Sequence, residues 1–572
     1  MIRLTLRPLH AGILATAALA LGGCATVRGA PSSGGAGPAG FQILAINDFH
    51  GNLEVPTQQT TWYGSQAAVP GGEQRAVLGG AAPLAAKLAA LRQGQANTIT
   101  VGAGDLISAS PLISAYYLDE PSIAALSQMG LELAAVGNHE FDRGTDELRR
   151  LQDGGCGKNT PREPCALEPF SGAGFSYLAA NVLDDNGQTL FPGTAMRRFG
   201  DVDVGFIGMT LKGTPQVSSP AGTAGWRFAD EADTANRLAA ELTAQGADLV
   251  VLLLHQGATV EGMFRADDCA GLDGPVLPIL ERLSPAIPLV ISGHTHNAYV
   301  CRMPMAGGGE RLLTSAGRYG AFVSDIRVSR DAAGRWTMDA INVPVKSDGG
   351  EMAGVAALVA RYATATQAVA NRVIGRIDGS LERGMQVDSP LARLVADAQL
   401  AATRPPEAGG ADIAFINQGG VRAAFQPAAD GSVTFGQIFT LQPFSNTLEV
   451  KALTGAALLA LLEQQFGETA EDGTILIPST GFTFTFDRTR PVGQRIVAAT
   501  LNGEPLDPAR TYRVTVNNFL AAGGDGFTSL APAPSVAHGG VDVDALAAFI
   551  AAGVTVDPLA RVIDAGAAAP VQ

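Results

Sequence analysis

Charged side chains are scarce in this chain, and basic ones scarcer still. Asp, Glu, Lys and Arg make up 16% of the 572 residues, below the roughly 25% of ordinary soluble domains. Lys and Arg number 39 against 54 Asp and Glu, for a formal net charge of −15. That balance has no general attraction for the phosphates of nucleic acid, so no nucleic-acid binding is expected. Any phosphate the protein handles must be met by local charge or by metal. Cysteine is also rare, at 5, and the Cys-x2-Cys spacing of a structural zinc knuckle is absent. Beyond residue 24 no apolar run is long enough, and free enough of Gly, Pro and charge, to read as a transmembrane helix. What is abundant is apolar residues, at 46%, and glycine, at 70. The first excludes disorder over the whole chain and supplies large cores. The second points to many tight loops. At about 150 residues per domain, the length corresponds to three or four domains, or two large ones.

The first 24 residues read as a targeting segment. Arg3 and Arg7 make a basic start, and the apolar stretch from Ile13 to Leu21 is too short for a permanent bilayer span. Leu21-Gly22-Gly23-Cys24 then resembles the lipobox of bacterial lipoproteins, in which cleavage leaves the Cys to carry lipid. Residues 25–40, rich in Gly, Ala, Pro and Ser, have the composition of a flexible tether. The expectation is an exported protein anchored to the cell envelope through Cys24, with the lipid as its only membrane contact. Ala25 is not the Asp associated with inner-membrane retention in similar lipoproteins, so the outer membrane and periplasm are favoured. The other four cysteines, an even number in an exported chain, suggest two disulfides. Cys156 and Cys165 bracket the polar loop Gly157 to Pro164, and Cys269 and Cys301 then pair by default.

From residue 41 to 345 one arrangement recurs: an apolar run of strand length, then a sharp loop carrying Asp, Asn or His. Phe41 to Ile46 leads into Asn47-Asp48-Phe49-His50-Gly51. Thr98 to Val101 leads into Gly102-Ala103-Gly104-Asp105, and Leu133 to Val136 into Gly137-Asn138-His139-Glu140-Phe141-Asp142. Leu249 to Leu254 ends at His255, and Pro288 to Ile291 at Ser292-Gly293-His294-Thr295-His296. Continuous apolar runs suit strands buried on both faces, and Pro83 to Leu91 and Asp233 to Leu242 have helical spacing. The fold class that follows is layered α/β.

In such sheets, polar groups beyond the carboxyl ends of neighbouring strands converge on one crevice. Five of the 7 histidines lie in those loops. With Asp48, Asp105 and Asn138 they form a mixed nitrogen and oxygen donor set without thiolate, which suits Zn, Mn, Co or Fe. There are too many donors for one four-coordinate ion, and a carboxylate such as Asp105 can bridge two. Two divalent metal ions in a hydrolase site are therefore expected.

This series of motifs resembles the calcineurin-like metallophosphoesterases, and within them the 5′-nucleotidase family that includes UDP-sugar hydrolases. The likeness continues through Asn417-Gln418-Gly419-Gly420-Val421-Arg422, Gln442-Pro443-Phe444-Ser445-Asn446 and Asn518-Phe519 to Asp525-Gly526-Phe527, so it covers nearly everything after residue 40. It implies that Asp48, His50, Asp105 and His296 hold one metal, and Asp105, Asn138, His255 and His294 the other. It also implies in-line attack of a metal-bridging hydroxide on phosphorus. His139 would contact the phosphoryl oxygens, and Asp142 would orient it and keep it protonated. The competing role for Asp142 is to cap a helix starting near Thr145.

The resemblance also implies a C-terminal α+β domain, from about 372 to 564, that binds the nucleotide. Asn417, Arg422, Phe444, Asn446, Phe519 and Asp525 would contact it: Arg422 grips phosphate with its planar fork, the two aromatics stack on the base, and Asp525 lies near the ribose. The metallophosphoesterase domain covers 41–345. Between the two, over 346–371, the spacing of Met352, Val355, Val359, Tyr362, Val369 and Val373 reads as a connecting helix, and the resemblance implies that it lies near a hinge. One departure matters. Further phosphate-binding Arg residues often precede the family's helix that starts here at Ser389-Pro390, yet the matching places hold Leu381, Met385 and Val387, and Arg383 is out of register. Nucleoside monophosphates are therefore favoured over UDP-sugars, cleavage of UDP-sugars or 2′,3′-cyclic nucleotides by the same site being the alternative, and the complete ligand set favours turnover over a non-catalytic nucleotide-binding lipoprotein. Gln418 stands where many relatives have Gly, with no reason evident. No protein partner can be inferred.

Overall fold

Alternation inside the apolar runs sets the architecture. In the strand Phe41–Ile46 all six residues are buried, but they serve two cores. Phe41, Ile43 and Ala45 join Ile99, Val101, Leu249, Val251, Leu253 and Ile291 in one cluster. Leu44 and Ile46 face the opposite way, onto helices. Val250, Leu252 and Leu254 likewise turn from the shared cluster toward Ala232, Ala235 and Ala239 of the helix Glu231–Ala244. With a period of two, a strand buried on both faces must lie between two layers. The result is helix, sheet, sheet, helix.

The computed structural model describes residues 40–566 apart from 65–71, 161, 219, 306, 332, 383–386, 445 and 468–473. The signal segment with Cys24, and Arg383, Met385 and Ser445, lie outside the described residues. So does the tether, except for Gly40. In the first half, one six-stranded sheet runs Trp336–Pro344, Phe322–Arg330, Phe41–Ile46, Thr98–Ala103, Leu133–Ala135, Ser176–Leu178. The last four are parallel. The second runs Ala298–Pro304, Glu310–Ala316, Leu289–Ser292, Leu249–His255, Val202–Thr210, Thr194–Phe199, with its four central strands parallel. Parallel strands put successive carboxyl ends on the same edge, and both sheets send their Asp-, Asn- and His-bearing loops from it.

The helix Ala353–Ala370 follows, burying Val355, Leu358 and Tyr362. These pack into the helical layer of the first half, and Tyr362 meets Tyr117 edge to face at 4.9 Å. Val373, which the spacing adds to this helix, instead begins the short strand Val373–Arg376 and is exposed. The Asn371 cap ends the helical rise before it.

The second half has a five-stranded sheet, Leu476–Pro478, Ile413–Asn417, Thr511–Asn517, Thr447–Thr454, Ser535–Val541. A four-stranded sheet contains Phe482–Phe486, whose alternate phenylalanines are buried. The helix Pro390–Thr403, capped by Ser389 accepting from the Ala392 N–H, packs over Ile413, Phe415 and Val514 in the core. Leu112 and Ala115 of the first half join that same core. Both halves belong to one unit of contacts. The structure pairs Cys156 with Cys165 and Cys269 with Cys301, each with Cα atoms 5.5 Å apart. No helix among the described residues is long and apolar enough to cross a membrane.

Candidate active site

Two groups of donors meet at the carboxyl edge of the first half: Asp48, His50 and His296, and Asp105, His255 and His294. His50 Nε2 lies 3.1 Å from His296 Nε2 and 3.6 Å from Asp105 Oδ2. His296 Nε2 lies 3.4 Å from Asp48 Oδ1. In the second group, His255 Nε2 is 3.0 Å from Asp105 Oδ2 and 3.1 Å from Asn138 Oδ1, and His294 Nδ1 is 3.0 Å from the same amide oxygen. One carboxylate oxygen, Asp105 Oδ2, therefore faces an imidazole of each group. That is where a bridging ligand must stand.

The outer atoms of these imidazoles identify the inner ones. His50 Nδ1 is 2.9 Å from the Ser108 carbonyl and His255 Nδ1 2.7 Å from the Ala103 carbonyl. A carbonyl only accepts, so each Nδ1 carries the proton and each Nε2 points inward. Burial pushes the pKa of His50 and His294 down to about 3, and that of His296 well below its ordinary value. His50 and His296 are thus neutral, and His50, its proton held at Nδ1, turns a bare Nε2 toward Asp105 Oδ2. Lone pairs so placed repel unless a cation lies among them, so the donor set fits divalent metal. His255 is raised to about 9, its own burial opposing and Asp105 favouring the charge. The field that stabilises a proton there stabilises a metal cation as well.

The backbone is bent to make this arrangement. Asp48, His50, Asp105, His294 and His296 all have positive φ, between 46° and 75°. Left-handed conformations cost a non-glycine residue of order 1–3 kcal/mol and cluster where surrounding structure enforces them for function. Gly137 is required for close approach: a Cβ there would collide with the Asp105 carboxylate and backbone N.

His139 stands beside the donors, its N–H donating to Asp105 Oδ1 at 2.9 Å and its Nδ1 2.7 Å from Asp142 Oδ2. Burial disfavours its charge, but Asp142 and Asp105 outweigh burial and raise its pKa above the ordinary value. Asp142 is directed at this imidazole rather than at the helix Thr145–Asp153, whose cap is Gly144 without a side-chain bond.

Across the cavity, the second half contributes its own wall. Phe444 stacks on His139 with ring centroids 5.8 Å apart, and the Arg422 guanidinium lies 5.4 Å from the Phe444 centroid. Asn417 donates to Asp525 at 2.6 Å. Phe519 lies over Gly524, where a Cβ would come within 2.5–2.6 Å of the ring. A single cavity of about 590 Å³ is lined by Asp105, Asn138, His139, Asp142, His294 and His296 on one side. Asn417, Arg422, Phe444, Asn446, Phe519 and Asp525 line the other. Asp48, His50 and His255 lie behind that surface, fully buried.

Comparison with known proteins agrees with this division. The Calcineurin-like phosphoesterase family matches residues 41–298, and the 5′-nucleotidase, C-terminal domain family matches 364–532. The chain belongs to the 5′-nucleotidase family of calcineurin-like phosphoesterases. It is 25% identical over 570 residues to the Probable 5′-nucleotidase of Treponema pallidum, covering 86% of this chain and 88% of that protein. It is 27% identical over 488 residues to Endonuclease YhcR of Bacillus subtilis, covering 84% of this chain but only 37% of that longer protein. The crystal structure of a 5′-nucleotidase precursor from Thermus thermophilus superposes with a TM-score of 0.71 at 26% identity, covering 92% of this chain and 99% of that one. Membership makes the protein a metal-dependent hydrolase of phosphoric monoesters.

As a 5′-nucleotidase family member the chain also holds site residues that were assigned no role from the sequence, two of them, Glu140 and Asn47, inside the quoted motifs. Glu140, 2% exposed, accepts from the backbone N–H groups of Asp105 at 2.9 Å, Leu106 at 2.8 Å and Gly137 at 2.6 Å, clamping two donor loops together. Asn47 donates to Asp48 Oδ2 and to the Gly317 carbonyl, both at 2.7 Å, and accepts from Ala316 N–H. Buried Asp119 pairs with Arg143 and takes the Ser108 N–H at 3.1 Å. Arg318 lines the cavity from the first half. Carboxylates and amides flanking an apolar run are signals for Glu140 and Asn47. Arg318 lies far from every motif quoted and carries no such signal.

Proposed function

We propose that the protein is an extracytoplasmic 5′-nucleotidase that converts nucleoside monophosphates to nucleoside and phosphate. The observation that carries this reading is the single cavity shared by the metal-type donors and the aromatic, amide and carboxylate wall of the second half. Asp48, His50, Asp105 and His296 would hold one divalent ion, and Asp105, Asn138, His255 and His294 the other. Zn, Mn, Co or Fe suits these donors. Two such ions, when bound, supply the charge that makes water nucleophilic near neutral pH and offset charge on the phosphoryl oxygens.

The chain's own residues do the rest. With its Nδ1 proton donated to Asp142, His139 presents Nε2 to the cavity, and its raised pKa keeps a proton there for a phosphoryl oxygen in the transition state. Arg422 supplies a planar fork beside it. Phe444 and Phe519 offer apolar faces to a base, and Asn417 holds Asp525 at the edge where a ribose hydroxyl would donate. Leu381 pairs with Phe425 through the backbone, and neither it nor Val387 is among the cavity-lining residues. That supports a single phosphate over a sugar-linked diphosphate. Two disulfides support an oxidising compartment, and Cys24 would carry the lipid that anchors the protein to the envelope. Phosphate release measured across nucleoside monophosphates, UDP-sugars and cyclic nucleotides, after chelation and resupply of Mn, Zn, Co or Mg, tests the proposal. Turnover should be greatest for monophosphates and absent without metal.

A further inference from the structure

The cavity holds two guanidinium groups from opposite halves, Arg422 and Arg318, and among its described lining residues these are the only Arg or Lys. The motifs account for Arg422. Arg318 sits in the turn after the strand Glu310–Ala316, beside Tyr319, whose N–H donates to the Asp48 carbonyl at 2.8 Å. The Arg318 guanidinium lies 4.9 Å from the Tyr319 ring centroid. That ring in turn meets His296 at 5.6 Å and His50 at 6.0 Å, edge to face. Arg318 is therefore stationed at the Asp48, His50 and His296 group, and its charge helps to keep His296 neutral. Among the described residues it forms no ion pair, although carboxylates pair with most other arginines of the first half. An unbalanced cation facing a cavity built for phosphate is an anion contact in waiting.

We propose that Arg318 is a specificity-determining residue that binds the third non-bridging phosphoryl oxygen, and so selects phosphomonoesters over phosphodiesters. A monoester presents three such oxygens and close to two negative charges at neutral pH. In a diester one of the three carries a second carbon substituent, and only one charge remains. With two metals, His139 and Arg422 engaging the phosphoryl group from the other directions, a guanidinium on the remaining side rewards the extra oxygen and leaves a diester's substituent facing a cation. Charge-assisted hydrogen bonds to a phosphate oxygen are about twice as strong as neutral ones. The inference rests on the reading of the cavity as a phosphohydrolase site and deepens it.

The test compares p-nitrophenyl phosphate with bis(p-nitrophenyl) phosphate, and AMP with 2′,3′-cyclic AMP, in wild type, Arg318→Gln and Arg318→Lys. Metal stoichiometry is measured in each, with orthophosphate affinity by calorimetry. Arg318→Gln should lower kcat/KM for both monoesters by at least tenfold and weaken orthophosphate binding by a similar factor. The diesters should change by less than threefold, and metal content should remain at two per chain. Arg318→Lys should recover most of the monoester rate. Equal losses on both ester classes, or unchanged orthophosphate affinity in Arg318→Gln, would overturn the proposal. Should Arg318→Gln fail to fold, Arg318→Lys decides the matter by a smaller shift in the same ratio, and an unshifted ratio counts against the role. The aryl esters separate this outcome from that of the nucleotide assignment. A wild type that cleaves p-nitrophenyl phosphate but not AMP contradicts the nucleotide reading and leaves the Arg318 comparison measurable.

Discussion

The two walls of the cavity are built on different plans. On the metal side the donors are sealed: Asp48, His50, Asp105, Asn138 and His255 are at most 2% exposed. Asp48, His50 and Asp105 are held at left-handed backbone positions, and carbonyls, Asn47 and Glu140 lock the donors from behind. On the nucleotide side Arg422, Phe444, Asn446, Phe519 and Asp525 are half-buried, with the Phe444 ring near both the Arg422 guanidinium and the His139 imidazole. Metal charge demands donors placed in advance, because moving a misplaced ligand at the moment of reaction costs energy. A base can be held by flat apolar faces that tolerate different rings. Strain is concentrated where placement matters most.

That contrast yields predictions of graded size. Asp105→Ala removes the atom facing both donor groups. Turnover should fall by several orders of magnitude, with metal content dropping below two per chain by elemental analysis; a variant with two metals and full rate would show that the bridge is elsewhere. His139→Ala leaves every inward donor in place, so kcat should fall by about 10²-fold, the usual size of a lost transition-state donor, at normal metal content. Metal loss in that variant would move His139 onto the ligand list. On the other wall, Phe519→Ala should lower kcat/KM for a nucleoside monophosphate by about tenfold to a hundredfold, in line with 1–3 kcal/mol per stacked base. A small aryl phosphate should change much less, and equal losses would make Phe519 a support of the fold. Cys24→Ala should leave kinetics untouched and move the protein from the membrane fraction to the soluble one, or leave an uncleaved precursor. Lipid adds about 0.8 kcal/mol per buried methylene.

How much of this was legible before the structure follows the same division. The donor loops are short, each next to an apolar run, and strand-end geometry converts that adjacency into convergence. Local pattern therefore names Asp48, His50, Asp105, Asn138, His255, His294 and His296, but together with His139, which only the family resemblance sets apart from the ligands. The four-layer order was only partly legible, since a continuous apolar run reveals burial on both faces but not which faces share a core. Val373 was misread as helical because apolar spacing does not mark where a helix stops. Glu140 acts through backbone N–H groups 34 and 35 residues away, and Arg318 reaches the cavity from a turn outside every motif. Such relations depend on tertiary placement and leave no periodic trace.

The central claim is that two metals and a base-binding wall act on one substrate in one cavity. Chelated protein titrated with Mn or Zn, with phosphate release followed from AMP and from p-nitrophenyl phosphate, tests it most directly. The account predicts that activity on both substrates saturates at two equivalents per chain, and that kcat/KM for AMP exceeds that for the aryl ester by tenfold or more. Saturation at one equivalent, or equal kcat/KM for the substrate without a base, would contradict it.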